Sequence, residues 1–218
     1  MQRKHNGFTL VELAIVLVVI GLILGMVFKG RDLIDGAKVK NASAQVTKVQ
    51  AAINTYFERY NTVVGDGCGT FVTTGNVCTG GTTNGMLNAN AEAGSAINLL
   101  INSGMLQQAD LRSPWGNNWF ITTTAANAAQ RRDANVAYVM VGNNQTPAPL
   151  AALPGAGNVD IRHVCALDRA IDDGNPTTGT VRSSATAGPS GATSYDATTD
   201  CYASTQTGQV TLAVRVLP

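Results

Sequence analysis

A single carboxylate, Glu12, stands inside an otherwise apolar stretch near the amino terminus of this 218-residue chain. Residues 8–11 read FTLV, and residues 13–28 contain no charged side chain. An ionised carboxylate within a membrane segment costs on the order of 2.5–3.5 kcal/mol and marks a functional site by default. We therefore expect Glu12 to need a cationic partner.

The other polar residues form no motif typical of an enzyme. His163 has no second histidine after the apolar stretch with which to share a metal, and the sequence has no Gly-x-Ser-x-Gly elbow that it could serve as a base. We therefore expect His163 on the surface of a helix. Residues 65–70, GDGCGT, lack the lysine of a phosphate loop and are predicted to form a turn. The chain is predicted not to be an enzyme.

One acidic segment suggests a metal site. The sequence DDGN begins at Asp172, and the oxygens of Asp172, Asp173 and Asn175 are close enough along the chain to hold Ca²⁺, with Asp196 or Asp200 as a further ligand. The segment does not match the twelve-residue calcium loop, and DDGN is equally typical of a helix stop followed by a turn. Both interpretations stay open, and no other cofactor is predicted.

The cysteines, at positions 68, 78, 165 and 201, all follow the apolar stretch. An even number beyond a membrane segment predicts two disulfides in an oxidising space. Of the three connectivities we predict Cys68–Cys78 and Cys165–Cys201, because short loops close more easily and the two pairs fall in separate loop-rich regions. A zinc site is the alternative, but no C-x-x-C spacing occurs.

The element that positions Glu12 is predicted to be a membrane helix. Residues 8–28 reach the ~20 residues needed to cross a bilayer. Arg3 and Lys4 favour a cytoplasmic amino terminus, although basic residues also follow the helix. Residues 28–31, FKGR, do not resemble the small-residue site of a cleaved secretory signal. A plain signal anchor would explain the basic leader and the apolar run but not Gly7 and Glu12.

The helix is predicted to continue beyond the apolar run. A helix from residue 8 to residue 60 would be ~80 Å long. Because the mean helix has only about 11–12 residues, we expect lipid, the rest of its own domain and other copies of the chain to support it. Residues 25–30 either unwind or serve close packing through their glycines. Apolar residues recur at intervals of three and four in the second half, which is typical of an amphipathic helix: Val39, Ala42, Val46, Val49, Ile53, Tyr56 and Tyr60.

The remaining residues predict an α+β domain. Three segments rich in β-branched and aromatic residues, 119–123, 136–141 and 211–216, are predicted to form an antiparallel sheet. Residues 91–103 and 159–171 are predicted helices, and residues 174–199 a long polar loop region. The net charge of +1 and the 13% of charged residues indicate no nucleic-acid partner.

Residues 7–12, GFTLVE, followed by an apolar helix resemble the processing site of type IV pilins and of the pseudopilins of type II secretion. The resemblance implies that a prepilin peptidase cuts between Gly7 and Phe8 and that the new amino terminus is methylated. It also implies that the freed amine of Phe8 pairs with Glu12 of a neighbouring subunit. The chain departs from many pilins in having no proline before Pro114.

The resemblance also implies the organisation of the chain. Residues 1–7 are the leader, and residues 8–60 form the long helix, of which 8–28 cross the membrane and 29–60 are amphipathic. Residues 61–218 form a pilin-like head with a small antiparallel sheet and two disulfide-stapled loops. The chain is expected in the inner membrane as a single-pass protein with a cytoplasmic amino terminus and a periplasmic head, or outside the cell in a surface fibre.

The implied function is that of a structural subunit of a type IV pilus or a type II secretion pseudopilus. Its implied partners are other copies of the chain, the prepilin peptidase and methyltransferase, membrane lipid, and an inner-membrane assembly platform with a cytoplasmic ATPase. Major pseudopilins bind Ca²⁺ in a carboxyl-terminal loop. An alternative is a membrane-tethered minor pilin-like binding protein whose loops around residues 68–78 and 165–201 recognise a surface or DNA.

Overall fold

The computed structural model describes residues 9–68, 83–87, 90–123, 136–142, 159–183, 195–203 and 206–216. The chain divides into two compact units, Met1–Ala37 and Lys38–Pro218. The elements in chain order are α1 (Leu10–Tyr60), α2 (Asn90–Asn102), β1 (Asn118–Thr123), β2 (Ala137–Gly142), β3 (Val159–Asp160), α3 (Ile161–Ile171), β4 (Val181–Ser183), β5 (Gln209–Val210) and β6 (Leu212–Arg215), with two 3₁₀ turns at Asp66–Cys68 and Gln108–Leu111.

The first unit consists, in its described part, of the beginning of helix α1. The large apolar side chains here are exposed, from 85% at Leu10 to 46% at Val27. By length and composition, α1 is able to cross a membrane, and it is the one helix of the described residues that meets this criterion. Residues 10–28 thus have the length and composition expected of a membrane segment, and the span predicted for residues 8–28 remains a prediction.

In the second unit, the rest of α1 carries the predicted apolar stripe. Six of its seven predicted positions are buried, and Tyr60 packs at the edge of the same core. The stripe therefore anchors this part of the helix by burial of apolar surface, at about 25 cal/mol per Å². The predicted long helix ending at Tyr60 is confirmed.

The main sheet is antiparallel, with the strand order β1-β2-β6-β4. Trp119 pairs with Val141 across β1 and β2, while Val139 pairs with Val214 across β2 and β6. Alternate side chains point to opposite faces of a strand. One face, which includes Trp119, Val139 and Val214, joins the core with the helices. The other face forms a smaller cluster around Tyr138 and Met140.

The α+β fold and the three predicted strands are confirmed, with two corrections. The prediction of a loop throughout residues 174–199 was wrong, because Val181–Ser183 forms β4 and pairs with β6. Helix α3 starts two residues later than predicted, since Val159 and Asp160 pair with β5. Asp160 also caps the helix by accepting a hydrogen bond from the backbone N–H of Arg162 at 2.9 Å.

The predicted disulfide Cys165–Cys201 is present, with its Cα atoms 5.5 Å apart. It ties helix α3 to the loop before β5. Cys68 is also disulfide-bonded, but Cys78, its predicted partner, lies outside the described residues. The division of the chain into a leader, a long helix and a head at residues 7 and 60 remains a prediction.

Gln45 links the second half of α1 to the sheet. Its side-chain Oε1 accepts a hydrogen bond from the indole Nε1 of Trp119 at 2.7 Å, and its Nε2 donates to the carbonyl of Arg112 at 2.9 Å. Trp119 is buried, so its indole N–H has to be satisfied within the protein. Gln45 therefore fixes the position of strand β1 against the helix.

We predict that Gln45→Ala destabilises the folded protein by about 1–3 kcal/mol, because it leaves the buried indole N–H of Trp119 without its acceptor. Thermal unfolding of the full chain in detergent micelles, followed by near-ultraviolet circular dichroism, measures the loss. Thr47→Ala is the matched control, because Thr47 is exposed and its hydroxyl donates to the carbonyl of Ser43 in its own helix. Equal unfolding temperatures for the two variants would contradict this role.

Candidate functional site

Glu12 forms a local hydrogen-bonded unit with Thr9 at the start of α1. Its Oε2 accepts hydrogen bonds from the backbone N–H of Thr9 at 2.8 Å and from the Thr9 hydroxyl at 2.9 Å. The N–H of Glu12 donates to the Thr9 hydroxyl at 3.3 Å. This reciprocal arrangement is a capping box, for which the spacing T-x-x-E is the sequence signal. Sequence analysis identified Glu12 but not this local role.

The surroundings of this capping box are apolar. Leu10, Val11 and Leu13 on either side of Glu12 are all exposed. The hydrogen bonds from Thr9 satisfy part of the carboxylate but supply no positive charge. Gly7 and Phe8 lie outside the described residues, so the cleavage site and the pairing of the Phe8 amine remain predictions.

Comparison with known proteins bears on this end of the chain. Residues 2–28 match the family model described as the prokaryotic N-terminal methylation motif. The chain carries the type IV pilin and pseudopilin signature. This motif implies processing by prepilin peptidase and assembly into a pilin filament. It is a motif of structural pilins, which are not enzymes.

No curated protein and no solved structure matches the pilin-like chain at a significant level. The motif together with the apolar helix suggests a membrane-anchored pilin.

In the head of this pilin-like chain, the predicted acidic segment folds into a tight loop after α3. The carboxylate of Asp172 accepts hydrogen bonds from the backbone N–H groups of Thr180 and Val181. Asp173 accepts from the N–H of Asn175 at 2.9 Å. The side-chain oxygen of Asn175 accepts from the hydroxyl of Thr177 at 2.7 Å. The side chains of all three predicted ligands therefore form hydrogen bonds within the loop, as expected if DDGN is a helix stop followed by a turn.

A third carboxylate, Asp168, joins two of the predicted ligands. Asp168, Asp172 and Asp173 can each offer one oxygen, and these oxygens lie within 4.8 Å of one another. Neither Asp196 nor Asp200 belongs to this group in the described part of the chain. We call Asp168, Asp172 and Asp173 the acidic cluster. Its three oxygens are of the kind that a hard divalent cation prefers.

Asp168 is the buried member of the acidic cluster. Its side chain is 0% exposed, and it accepts hydrogen bonds from the hydroxyl of Tyr195 at 2.9 Å and from the N–H of Gly174 at 3.2 Å. Burial raises its pKa to about 6, and the negative charges of Asp173 and Asp172 add to the effect against the hydrogen bonds from Tyr195 and Gly174. A bound proton or cation would therefore reduce the repulsion among the three carboxylates and the cost of burying the charge of Asp168.

The sequence contained a signal for Asp168. It continues the buried row of α3 formed by Ile161, Val164 and Cys165, at the spacing of one helix face. A carboxylate on an apolar face has to be hydrogen-bonded or neutralised. The row was predicted as a helix, but the polar member within it was not recognised.

The prediction of His163 on a helix surface was wrong. His163 is 6% exposed, and its Nδ1 accepts a hydrogen bond from the indole Nε1 of Trp115 at 3.1 Å. The side chain is buried because the turn before β1 packs against α3, a contact that crosses 48 residues of sequence.

Asp66 and Glu92 are two further buried acids that sequence analysis missed. Asp66 accepts hydrogen bonds from the N–H groups of Asn84 and Gly85, at 3.0 and 2.8 Å. Glu92 accepts from the N–H of Gly67 at 3.2 Å. Both acids hold the backbone of the loop that follows α1, which gives them a structural role.

We predict that Asp168→Asn stabilises the head above about pH 6 in a calcium-free buffer. The folded protein holds a proton on Asp168 up to about pH 6, whereas an unfolded chain releases it near pH 3.8. The folded state thus binds more protons between these values, so the contribution of Asp168 to stability falls as the pH rises through this window. The amide keeps an acceptor for Gly174 and carries no charge.

The measurement is the difference in unfolding temperature between Asp168→Asn and wild type from pH 4 to pH 8. It should be largest above pH 6 and should shrink as the pH falls. Asp200→Asn, at an exposed acid outside the acidic cluster, is the control for the loss of a surface carboxylate. A difference for Asp168→Asn that does not change with pH would show that its carboxyl is not perturbed.

Proposed function

We propose that this chain is a structural subunit of a type IV filament, either a type IV pilus or a type II secretion pseudopilus. In this proposal the leader of residues 1–7 is removed, Phe8 is methylated, and copies assemble through α1 with their heads on the outside of the fibre. The match of residues 2–28 to the methylation motif carries the proposal.

The exposed start of α1 supports assembly. Its apolar side chains from Leu10 to Phe28 are exposed, and so are Leu33 and Ile34 beyond them. Exposed apolar surface of this extent marks a membrane or protein contact. Before assembly lipid would cover residues 10–28, and in a fibre the helices of other copies would replace the lipid.

The charge of Glu12 would then specify how the copies align. Within lipid or a helix bundle, the capping box with Thr9 leaves the carboxylate without a compensating positive charge. The amine freed on Phe8 of a neighbouring copy would supply it. A copy docked at the wrong height would leave Glu12 unpaired in an apolar layer, which favours a single register.

Glu12 has two separable roles, and substitutions distinguish them. Glutamine at this position can still complete a capping box with Thr9 but carries no charge. If Glu12 acts through its charge, both Glu12→Gln and Glu12→Ala should be trimmed and inserted but absent from filaments. If Glu12 acts only as a cap, Glu12→Gln should assemble like the wild type.

The readout is the amount of each variant in fibres sheared from cells that also express the wild-type chain, relative to its amount in the membrane. We expect at least a tenfold lower amount of both variants in the fibres. In each of them the amine of Phe8 on a neighbouring copy would be unpaired, and one unpaired charge costs more than about 1.4 kcal/mol. Glu58→Ala, at an exposed acid of the same helix, is the control. Incorporation of Glu12→Gln at the wild-type level would refute the pairing role.

The cellular location and membrane topology are proposed from the same features. We propose a single-pass protein of the inner membrane with a cytoplasmic amino terminus and a periplasmic head, carried to the cell surface if the fibre is a pilus. A separate assembly platform with a cytoplasmic ATPase would drive assembly. The alternative is a membrane-tethered minor subunit whose head binds a surface or DNA, and its retention in the membrane fraction would favour it.

We also propose that the acidic cluster binds Ca²⁺. Supporting this are the three carboxylate oxygens within 4.8 Å and the burial of Asp168, whose charge a cation would neutralise. Asp168, Asp172 and Asp173 would hold the ion, and the carbonyl or side-chain oxygen of Asn175 is a further candidate. Bound Ca²⁺ would supply positive charge that stabilises the loop against α3.

We predict that Ca²⁺ raises the unfolding temperature of the EDTA-treated chain, by the equivalent of about 2.7 kcal/mol at a hundredfold excess over the dissociation constant. The double variant Asp172→Asn and Asp173→Asn should lose this response. Asp196→Asn, outside the acidic cluster, should keep it. Equal responses from the wild type and the double variant would exclude this cluster as the calcium site.

A further inference from the structure

We infer that Asn84 is a deamidation site, and that the carboxylate of Asp66 suppresses the reaction for as long as the loop of residues 83–87 stays bound to the turn of residues 63–68. The inference concerns the head alone and does not depend on the proposed function.

An asparagine followed by a glycine is the residue pair most open to this chemistry. The backbone nitrogen of Gly85 would lose its proton and form a bond to the side-chain Cγ of Asn84. The bond from Cγ to the amide nitrogen would break, and that nitrogen would leave as ammonia. Water would then open the five-membered imide and leave aspartate or isoaspartate at position 84. Water is the only other reactant, so the reaction needs no oxidant or reductant.

The Asn84–Gly85 pair is accessible from solvent. Both residues are exposed. Gly85 has no side chain to hinder attack, and a Cβ added to it would have no described atom within 4 Å beyond its chain neighbours. The sequence contains one other such pair, Asn6–Gly7 in the predicted leader. In a chain without this leader, Asn84 is therefore the remaining asparagine that precedes a glycine.

The carboxylate of Asp66 holds the backbone on both sides of Asn84. Its Oδ1 accepts a hydrogen bond from the backbone N–H of Asn84 at 3.0 Å, and its Oδ2 accepts one from the N–H of Gly85 at 2.8 Å. The side-chain oxygen of Asn84 accepts a hydrogen bond from the N–H of Met86 at 3.0 Å. The attacking nitrogen and the amide that it would attack are thus held by separate partners.

Closing the imide ring would break the hydrogen bond between Gly85 and Asp66, because an imide nitrogen carries no hydrogen. Asp66 is 7% exposed, so water has little access to its carboxylate. A buried carboxylate that loses a hydrogen-bond donor raises the free energy of the folded protein. This cost adds to the barrier of ring closure, and the folded head therefore slows the reaction.

The position of Asp66 depends on the folded head. Its own N–H donates to the carbonyl of Val63 at 3.1 Å, and the N–H of Gly67 donates to the buried Glu92 of α2 at 3.2 Å. Opening of this turn would release Asn84 for deamidation. An aspartate formed there would add a negative charge close to that of Asp66, and like charges repel, while isoaspartate would lengthen the main chain. Deamidation would thus weaken the binding of the loop irreversibly.

The test follows the conversion of Asn84 in the full chain, incubated in detergent micelles in mildly alkaline buffer. Chromatography and mass spectrometry of its peptides separate asparagine, aspartate and isoaspartate at this position. Asp66→Asn is the test variant, because an amide offers one oxygen, instead of two, to the two N–H groups. Asp196→Asn is the matched control, since Asp196 also accepts a backbone N–H, from Thr198 at 2.8 Å, in another loop.

We expect Asn84 to convert about tenfold faster in folded Asp66→Asn than in the wild type, the effect of losing one hydrogen bond to a charged group. Asp196→Asn should convert at the wild-type rate. An unchanged rate in folded Asp66→Asn would overturn the inference. A slower rate would also overturn it, because Asp66 would then act as a base that accelerates the reaction.

A second comparison decides the matter if Asp66→Asn fails to fold, as judged by circular dichroism. The wild-type chain unfolded in urea has no bond between Gly85 and Asp66, so Asn84 should convert about tenfold faster there than in the folded chain. Equal rates in the folded and unfolded wild type would overturn the inference.

Discussion

The whole molecule depends on how the first part of α1 is covered. Its apolar side chains are exposed within their own unit, and a carboxylate stands among them near the helix start. Lipid can cover the apolar side chains but gives Glu12 no positive charge, whereas an assembly of identical helices can provide both. This is why the methylation motif and the exposed helix support the same proposal, in which the monomer is a membrane-held precursor of a fibre.

The head is held together by its own core and by specific polar contacts. Its core combines the stripe of α1, one face of the main sheet and the buried row of α3. Specific polar contacts then fix the elements within it: Gln45 satisfies the buried Trp119, and the disulfide Cys165–Cys201 with the Asp168–Tyr195 hydrogen bond holds the loop before β5 to α3. Helix α3 thus carries Cys165 of the disulfide, Asp168 of the acidic cluster, and His163.

Sequence predicted the parts of this molecule that depend on local periodicity. The apolar stripe predicted the end of α1, and the β-branched and aromatic residues of segments 119–123 and 136–141 predicted strands β1 and β2. The disulfide Cys165–Cys201 followed from loop closure. Strand β4 escaped prediction because three residues between glycine-rich segments show too little alternation, and its pairing depends on β6.

The burial of His163 and of Asp168 was not predicted from the sequence, and the physical reason is the same for both. The burial of His163 depends on Trp115, and that of Asp168 on Tyr195, which are 48 and 27 residues away. Such contacts have no local periodicity. The Thr9–Glu12 capping box differs from these contacts, because its T-x-x-E spacing is a local signal in the sequence. It was not predicted, because Glu12 was interpreted only as a partner for a positive charge.

The most direct test of the filament proposal is mass spectrometry of the amino terminus, with chains taken separately from membranes and from sheared fibres. The proposal predicts an amino-terminal peptide beginning at a methylated Phe8, and a chain that still begins at Met1 when Gly7 is replaced by leucine. The proposal would be contradicted by an intact Met1 leader on the wild-type chain in both fractions.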